Sequence, residues 1–479
     1  MNPACSPLAR CLSAGLVACA GLWVWGAAGV GQGQSVWELT PYRIQILLAL
    51  GDAPELTPRL HADLAADLAA RIDAWVGPAW DATVAAAPPT LRYPMASHID
   101  ALGVESLPQE SLDFDKVVLL AVGPDPVGYH ASARELDVRT RVWSRTGRVA
   151  AGHAAKLRDA SFRAVRMAFA PLARIGTFDP QTKTVDLRVR AGALPVRDKS
   201  IAWVAPGDVF QPLMRRNDRE GKLRSVAAVP WTFLVVDQVR QAELTCKLHS
   251  GVPAPLSARR RGRTEQLALA VIPPDRPTLL TLQARTEPKV PLFGYDVFEQ
   301  TPDGKSAVLL GRSDRRGSLT IAPGSQVLRV LLVKHGGEVL ARLPLVPGLQ
   351  PEVVAAIPND DLRLEAEQAV VQFQEMLVDL VIRRQLLLAK ARAALSAGNL
   401  AQADEAMAEL RRLKRREELA VSLDQQQQRL VSNDPAVQRK IDALFADTRK
   451  LLDKHLSQDP VDQLSEQLSQ ARAAAKPGS

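Results

Sequence analysis

The densest chemical signal in this 479-residue chain is ARRRGR at 258–263, which sets Arg259, Arg260, Arg261 and Arg263 almost side by side. Guanidinium groups at that density grip phosphate, sulfate or carboxylate groups through paired N–H donors. An anion-binding loop is one reading, and a solvated loop between strands is the other. A second constellation is acidic. Glu135 and Asp137 lie two apart in ARELD, shortly after His130. Paired acids near an imidazole are equipped for proton transfer. Alternating with Arg134, Arg139 and Arg141 on an exposed strand, they read instead as a charge ladder in water.

Other reactive constellations are sparse. The seven histidines form neither HExxH nor an i,i+4 pair, and the chain contains no GxSxG elbow and no P-loop. GVGQG at 29–33 resembles a phosphate loop only in composition, because no helix follows it. Cys246 is the sole cysteine after residue 34 and sits in the alternating run AELTCKLHS. It reads as a small strand residue, with no partner for an internal disulfide. The residues therefore point to a non-enzymatic protein with no cofactor and no metal. An enzyme of unfamiliar type, its site formed by Glu135, Asp137 and His130, is the alternative.

Compartment follows from the N-terminus. Arg10 precedes 21 uncharged, mostly apolar residues at 11–31, and GQGQS follows. That order describes an export signal over 1–34. An uncleaved anchor is the alternative, as is lipidation at Cys19, since LVAC resembles a lipobox. The expected location is outside the cytoplasm: periplasm, cell envelope or beyond. The formal charge is +8, yet residues 360–479 carry 18 basic and 19 acidic groups, so the excess positive charge lies before them. A basic exported region suits an anionic envelope polymer or lipid surface better than nucleic acid.

The elements that carry these residues divide the chain into a multidomain α+β protein. Residues 37–195 read as an α+β domain. YRIQILLAL and KVVLLAVG look like buried strands, and 129–144 a half-exposed one. Two helices pack on one sheet face. One is capped by Thr57 with Pro58 behind it; the other, about 157–175, carries Phe162, Val165, Phe169, Leu172 and Ile175. Residues 196–285 are all-β, a small barrel or sandwich, with REG (219–221) as a hairpin turn. Residues 286–350 read as a five-strand antiparallel meander, and 351–360 as a Pro-rich linker. Residues 361–474 form long antiparallel helices, a hairpin or three-helix coiled coil, turned at Gly398-Asn399. Residues 475–479 are an expected disordered tail.

Two stretches resemble known families. PLFGYDVFEQ followed by LLGRSDRRGSLTI, with Ser313, Asp314 and Gly317 in a Ser-Asp-x-x-Gly turn, resembles the carboxypeptidase-regulatory-like domains. Those are transthyretin-like or Ig-like β-sandwiches, and the resemblance implies a non-catalytic module for stability or adhesion. AKARAALSAGNLAQADEAMAEL, within about 388–411, resembles a single tetratricopeptide-type hairpin through Leu395, Gly398, Ala403 and Ala406. Together these observations predict a binding or scaffold protein of the bacterial envelope. Its basic β-rich region would face an anionic component and its helices 361–474 would self-associate. A structural part of a secretion or motility apparatus is the remaining alternative.

Overall fold

The computed structural model describes residues 36–198, 201–256, 263–301 and 304–475. The first unit runs through α1 (Val36–Leu39), β1 (Tyr42–Leu50), α2 (Pro58–Arg71), β2 (Trp80–Ala86) and α3 (Pro89–His98). It continues with β3 (Lys116–Asp125), β4 (Gly128–Asp137), β5 (Val142–Trp143), β6 (Gly147–Ala151) and α4 (Leu157–Ala168). The sheet order is β2-β1-β3-β4-β5, with β6 also on β4. β1 lies parallel to β2 and β3, whereas β3 and β4 are antiparallel.

Alternation along the central strands explains why both faces are covered. Ile44, Ile46, Leu48, Val118 and Leu120 enter one core with Leu64 and Leu68 of α2 and Phe162 and Val165 of α4. Leu47, Ala49, Val117, Leu119 and Ala121 enter another with Leu91 and Met95 of α3. The expected one-sided arrangement is corrected: an unbroken apolar run is apolar on both strand faces and needs a cover on each. α2 starts as expected, with Thr57 Oγ1 accepting from Leu60 N at 3.3 Å. α4 stops at Ala168, short of the expected 175, because Pro171 disfavours helical geometry before it. Leu172 and Ile175 belong to the next strand.

The second unit comprises β7 (Leu172–Asp179), β8 (Thr184–Val189), β9 (Val209–Asn217), β10 (Leu223–Ala228), β11 (Thr232–Arg240), β12 (Glu243–Ser250) and β13 (Thr264–Ala270). The order β9-β11-β12-β8-β7-β13 returns to β9, so six antiparallel strands close into a barrel, with β10 hung on β9. Of the two expected β forms the chain adopts the barrel, and it begins at 172 rather than 196. Closure leaves no free edge among those six strands. Ile175, Leu187, Phe210, Leu234, Leu244 and Cys246 fill its interior. Each fully buried Leu, Ile or Phe contributes about 1.5–3 kcal/mol. Cys246 is a buried strand residue as expected, and burial pushes its thiol up to about 12.

The third unit contains β14 (Thr278–Ala284), β15 (Asp296–Gln300), β16 (Ala307–Arg312), β17 (Ser318–Ile321), β18 (Arg329–His335), β19 (Glu338–Leu345) and β20 (Glu352–Ile357). Its strands form two sheets, β17-β14-β20 and β16-β15-β18-β19, sharing one core that includes Leu280, Tyr295, Val297, Leu331 and Ala355. The expected single meander is therefore corrected. β14 was expected in the preceding domain and β20 falls in the expected linker, yet the two pair in parallel. Their sequence separation hid the pairing. The Asp314 turn stands as read: its Oδ1 accepts from Arg316 N and Ser318 N, both at 2.8 Å, and Gly317 has φ +74.

Helices α5 (Asp361–Ser396), α6 (Leu400–Arg412), α7 (Arg416–Arg429), α8 (Pro435–His455) and α9 (Asp459–Ala475) make the last unit. At ~1.5 Å per residue α5 is about 54 Å long. α7 and α8 share a core with its first half, α6 and α9 with its second. Residues 413–415 separate α6 from α7. Gly398 at φ +73 and Asn399, whose Oδ1 accepts from Gln402 N, make the reversal. Among the described residues no helix is long and apolar enough to cross a membrane.

Candidate functional site

The end of the β9–β10 hairpin builds a cleft of about 550 Å³ against the start of β13. Asp218 Oδ1 accepts from Glu220 N at 3.1 Å and Lys222 N at 2.7 Å, and Gly221 takes φ +83, so the turn is tight. Pairing then aligns the charges. Arg216 on β9 sits between Ser225 of β10 and Thr264 of β13, and Arg263 O accepts from Asn217 N at 2.9 Å. Arg216, Arg219, Arg224 and Arg263 line the cleft, opposed among the described residues only by Asp218 and Glu220. All four arginines are exposed. Their guanidinium groups make no hydrogen bond or ion pair among the described residues, while Asp218 is spent on its own turn.

This placement bears on the sequence-predicted cluster. Arg263 lines the cleft; Arg259, Arg260 and Arg261 lie outside the described residues, as does Cys19. Three residues were missed: Arg216, Arg219 and Arg224. Their signal was present in RRNDREGKLRS, where basic residues bracket a turn, but their convergence on Arg263 depends on strand pairing. Unpaired guanidinium groups lining one concave surface present many N–H donors to a multivalent anion. Three other arginines of the first unit and the barrel are engaged. Arg139 binds Glu265 bidentately, with contacts of 2.7–3.0 Å, Arg215 reaches the same carboxylate, and Arg190 pairs with Asp115 at 2.6 Å.

The acidic pair does not lie in water, so the charge-ladder reading is corrected. α4 covers that face of β4 and buries Glu135 and Asp137 to 1% and 2% side-chain exposure. Lys116, with a fully buried side chain, donates to Glu135 Oε1 at 2.5 Å, Asp137 Oδ2 at 3.1 Å and Ala170 O at 2.7 Å. Its ammonium also stands 5.3 Å and 5.0 Å from the centres of the Tyr42 and Phe169 rings. Burial opposes that charge, yet the two carboxylates hold the Lys116 pKa above its ordinary value. For Glu135, burial outweighs the attraction of Lys116 and pushes the carboxyl up to about 7.

His130 cannot join the pair. Successive strand residues alternate faces, so the even-numbered His130 faces away from Glu135 and Asp137. Its ring nitrogen lies 3.7 Å from Asp125, and burial, aided by Arg148, lowers its pKa. The alternative three-residue acid/base site of Glu135, Asp137 and His130 is not assembled. What replaces it is a sealed cation with two carboxylates, holding β3, β4 and the 169–171 connector together.

Beside the sealed group is a second feature absent from the sequence reading. Tyr42, Trp80, Phe169 and Trp203 form a chain of ring contacts 4.6–5.3 Å between centres. With Arg190 they line a cavity of about 130 Å³ between the first unit and the barrel. Its wall is mostly apolar, and Tyr42 and Phe169 belong to both the cavity and the Lys116 environment.

No protein-family model matches the chain, and no curated protein matches it. Among solved structures, TolB from Acinetobacter baumannii aligns over 67% of this chain and 96% of its own, at 11% identity and a TM-score of 0.17. At that TM-score the alignment carries no argument about this chain.

Proposed function

We propose that the protein is an exported, non-enzymatic binding or scaffold component of the bacterial envelope, and that its barrel holds an anionic polymer or lipid surface in the arginine-lined cleft. The observation that carries this reading is the convergence of Arg216, Arg219, Arg224 and Arg263, each exposed and without a guanidinium hydrogen bond or ion pair among the described residues. The N-terminal segment, with Arg10 ahead of an uncharged run, supports export. Lys116, Glu135 and Asp137 are enclosed, so the most reactive-looking side chains are out of reach of a substrate. The helical unit supplies self-association in the same reading.

Cosedimentation of the purified protein with vesicles of anionic phosphatidylglycerol tests the cleft, with neutral phosphatidylcholine and isolated cell-wall sacculi as further arms. Binding to an anionic arm should fall steeply with added salt, because exposed charges are screened beyond about 10 Å at 0.1 M. R216S/R224S should weaken it at least tenfold at low salt while leaving the circular dichroism spectrum unchanged. Equal binding to neutral vesicles, or an unaffected double variant, refutes the cleft as the site.

A further inference from the structure

The exposed face of α5 carries an apolar stripe that none of the described residues covers. Val371, Val378, Ile382 and Leu386 are 52%, 57%, 60% and 68% exposed. At 100° per residue all four fall within about 40° of one line through Ile382. Charges flank that line on one side and in sequence order. Glu375 and Asp379 stand toward the helix N-terminus, Arg383 and Lys390 toward the C-terminus. All four are exposed, and none has an ion-pair partner among the described residues. A stripe with acids at one end and bases at the other is complementary to itself when reversed.

We propose that α5 pairs with α5 of a second copy, antiparallel and related by a two-fold axis at Ile382. This deepens the self-association within the proposed function and does not involve the cleft. The axis sets residue 382−n of one copy level with 382+n of the other. Val378 then meets Leu386 of the second copy, and Val371 meets Ala393. An axis perpendicular to the plane of the two helices keeps the charged side of each copy on the same side of the interface. Glu375 therefore lies within one residue of the level of Lys390, and Asp379 within two of Arg383. Each contact occurs twice, as an isologous interface requires. A parallel pairing would set Glu375 level with Glu375 and Lys390 level with Lys390, on opposite sides of the interface, and would form neither ion pair.

Sedimentation equilibrium of the full protein at low ionic strength tests this. Wild type should be a dimer, and Ile382→Glu a monomer with unchanged helical circular dichroism. Glu375→Lys and Lys390→Glu should each raise the dissociation constant about tenfold, through two repulsive pairs per dimer. The double charge swap should return it to within about threefold of wild type. A wild-type monomer at about 0.1 mM overturns the proposal, as does a double swap no better than the single changes, which points to parallel or unrelated contacts. Vesicle binding by the arginine cleft reads independently of either result.

Discussion

Glu135→Gln is the change whose effect the structure sets most closely. The amide oxygen keeps the acceptor that Lys116 Nζ uses at 2.5 Å and Ala170 N at 3.2 Å. Glu135 has an ordinary value of 4.5 and stands at about 7 in the fold. Between those limits the native carboxyl holds a proton that the unfolded chain has released. Stability therefore falls as pH rises from 4.5 to 7, and above 7 the whole cost is present. At 1.36 kcal/mol per unit that cost is about 3 kcal/mol. Lys116 titrates far above this window and leaves the sign unchanged. Gln never ionises, but its amide N–H₂ takes the place of Oε2, which is buried without a partner. Such a donor costs about 1–3 kcal/mol. The variant should thus be at least as stable as wild type at pH 8, by up to about 2 kcal/mol, with the advantage gone below pH 5. Because the chain has several units, a local assay is required. Hydrogen exchange by mass spectrometry on peptides covering 116–137 provides one, after correction for intrinsic rates. Wild-type protection that rises between pH 5 and 8, or a variant less protected than wild type at pH 8, refutes the reasoning.

Three other outcomes follow from local geometry. At Gly317 an added Cβ would lie 2.3 Å from Leu282 O at a φ of +74, so Gly317→Val should destabilise the third unit by at least about 2 kcal/mol, read as an earlier thermal transition. Cys246 should stay unmodified by a disulfide reagent at pH 8 until denaturant is added, because its buried thiol is pushed up to about 12. Asp434 caps α8 through Ala436 N at 2.9 Å and holds Arg285 with contacts of 2.7 and 2.8 Å. Arg285 holds its carboxyl below the usual range, so that contribution is present above the ordinary value of 3.8 and lost as pH falls below it. Asp434→Ala should remove about 1–2 kcal/mol near pH 7 and much less near pH 2, by thermal unfolding at the two pH values.

Local patterns carried much of the architecture. Thr57-Pro58, the Asp314 turn with Gly317, and Gly398-Asn399 each occur where the backbone requires those residues, so each could be read directly. The strands at 42–50 and 116–123 were equally clear, since an unbroken apolar run needs burial whatever surrounds it. The candidate site was half visible. Arg263 stood in an evident basic run, whereas Arg216, Arg219 and Arg224 looked like ordinary surface charge.

What the sequence determined by itself was whatever depends on neighbours in the chain: helix caps, turns, strand periodicity, the order of α+β, β-rich and helical parts, and the uncharged run after Arg10. Tertiary structure alone decided which distant segments meet. Closure of β13 onto β9 made the barrel and gathered the arginines, and β14 reached across to β20. α4 came down over β4 and turned an apparent charge ladder into a buried Lys116–Glu135–Asp137 group. The physical reason is that alternation fixes which face a side chain is on, but not what covers that face. For a carboxylate, the cover decides whether its charge is solvated or must find a cation.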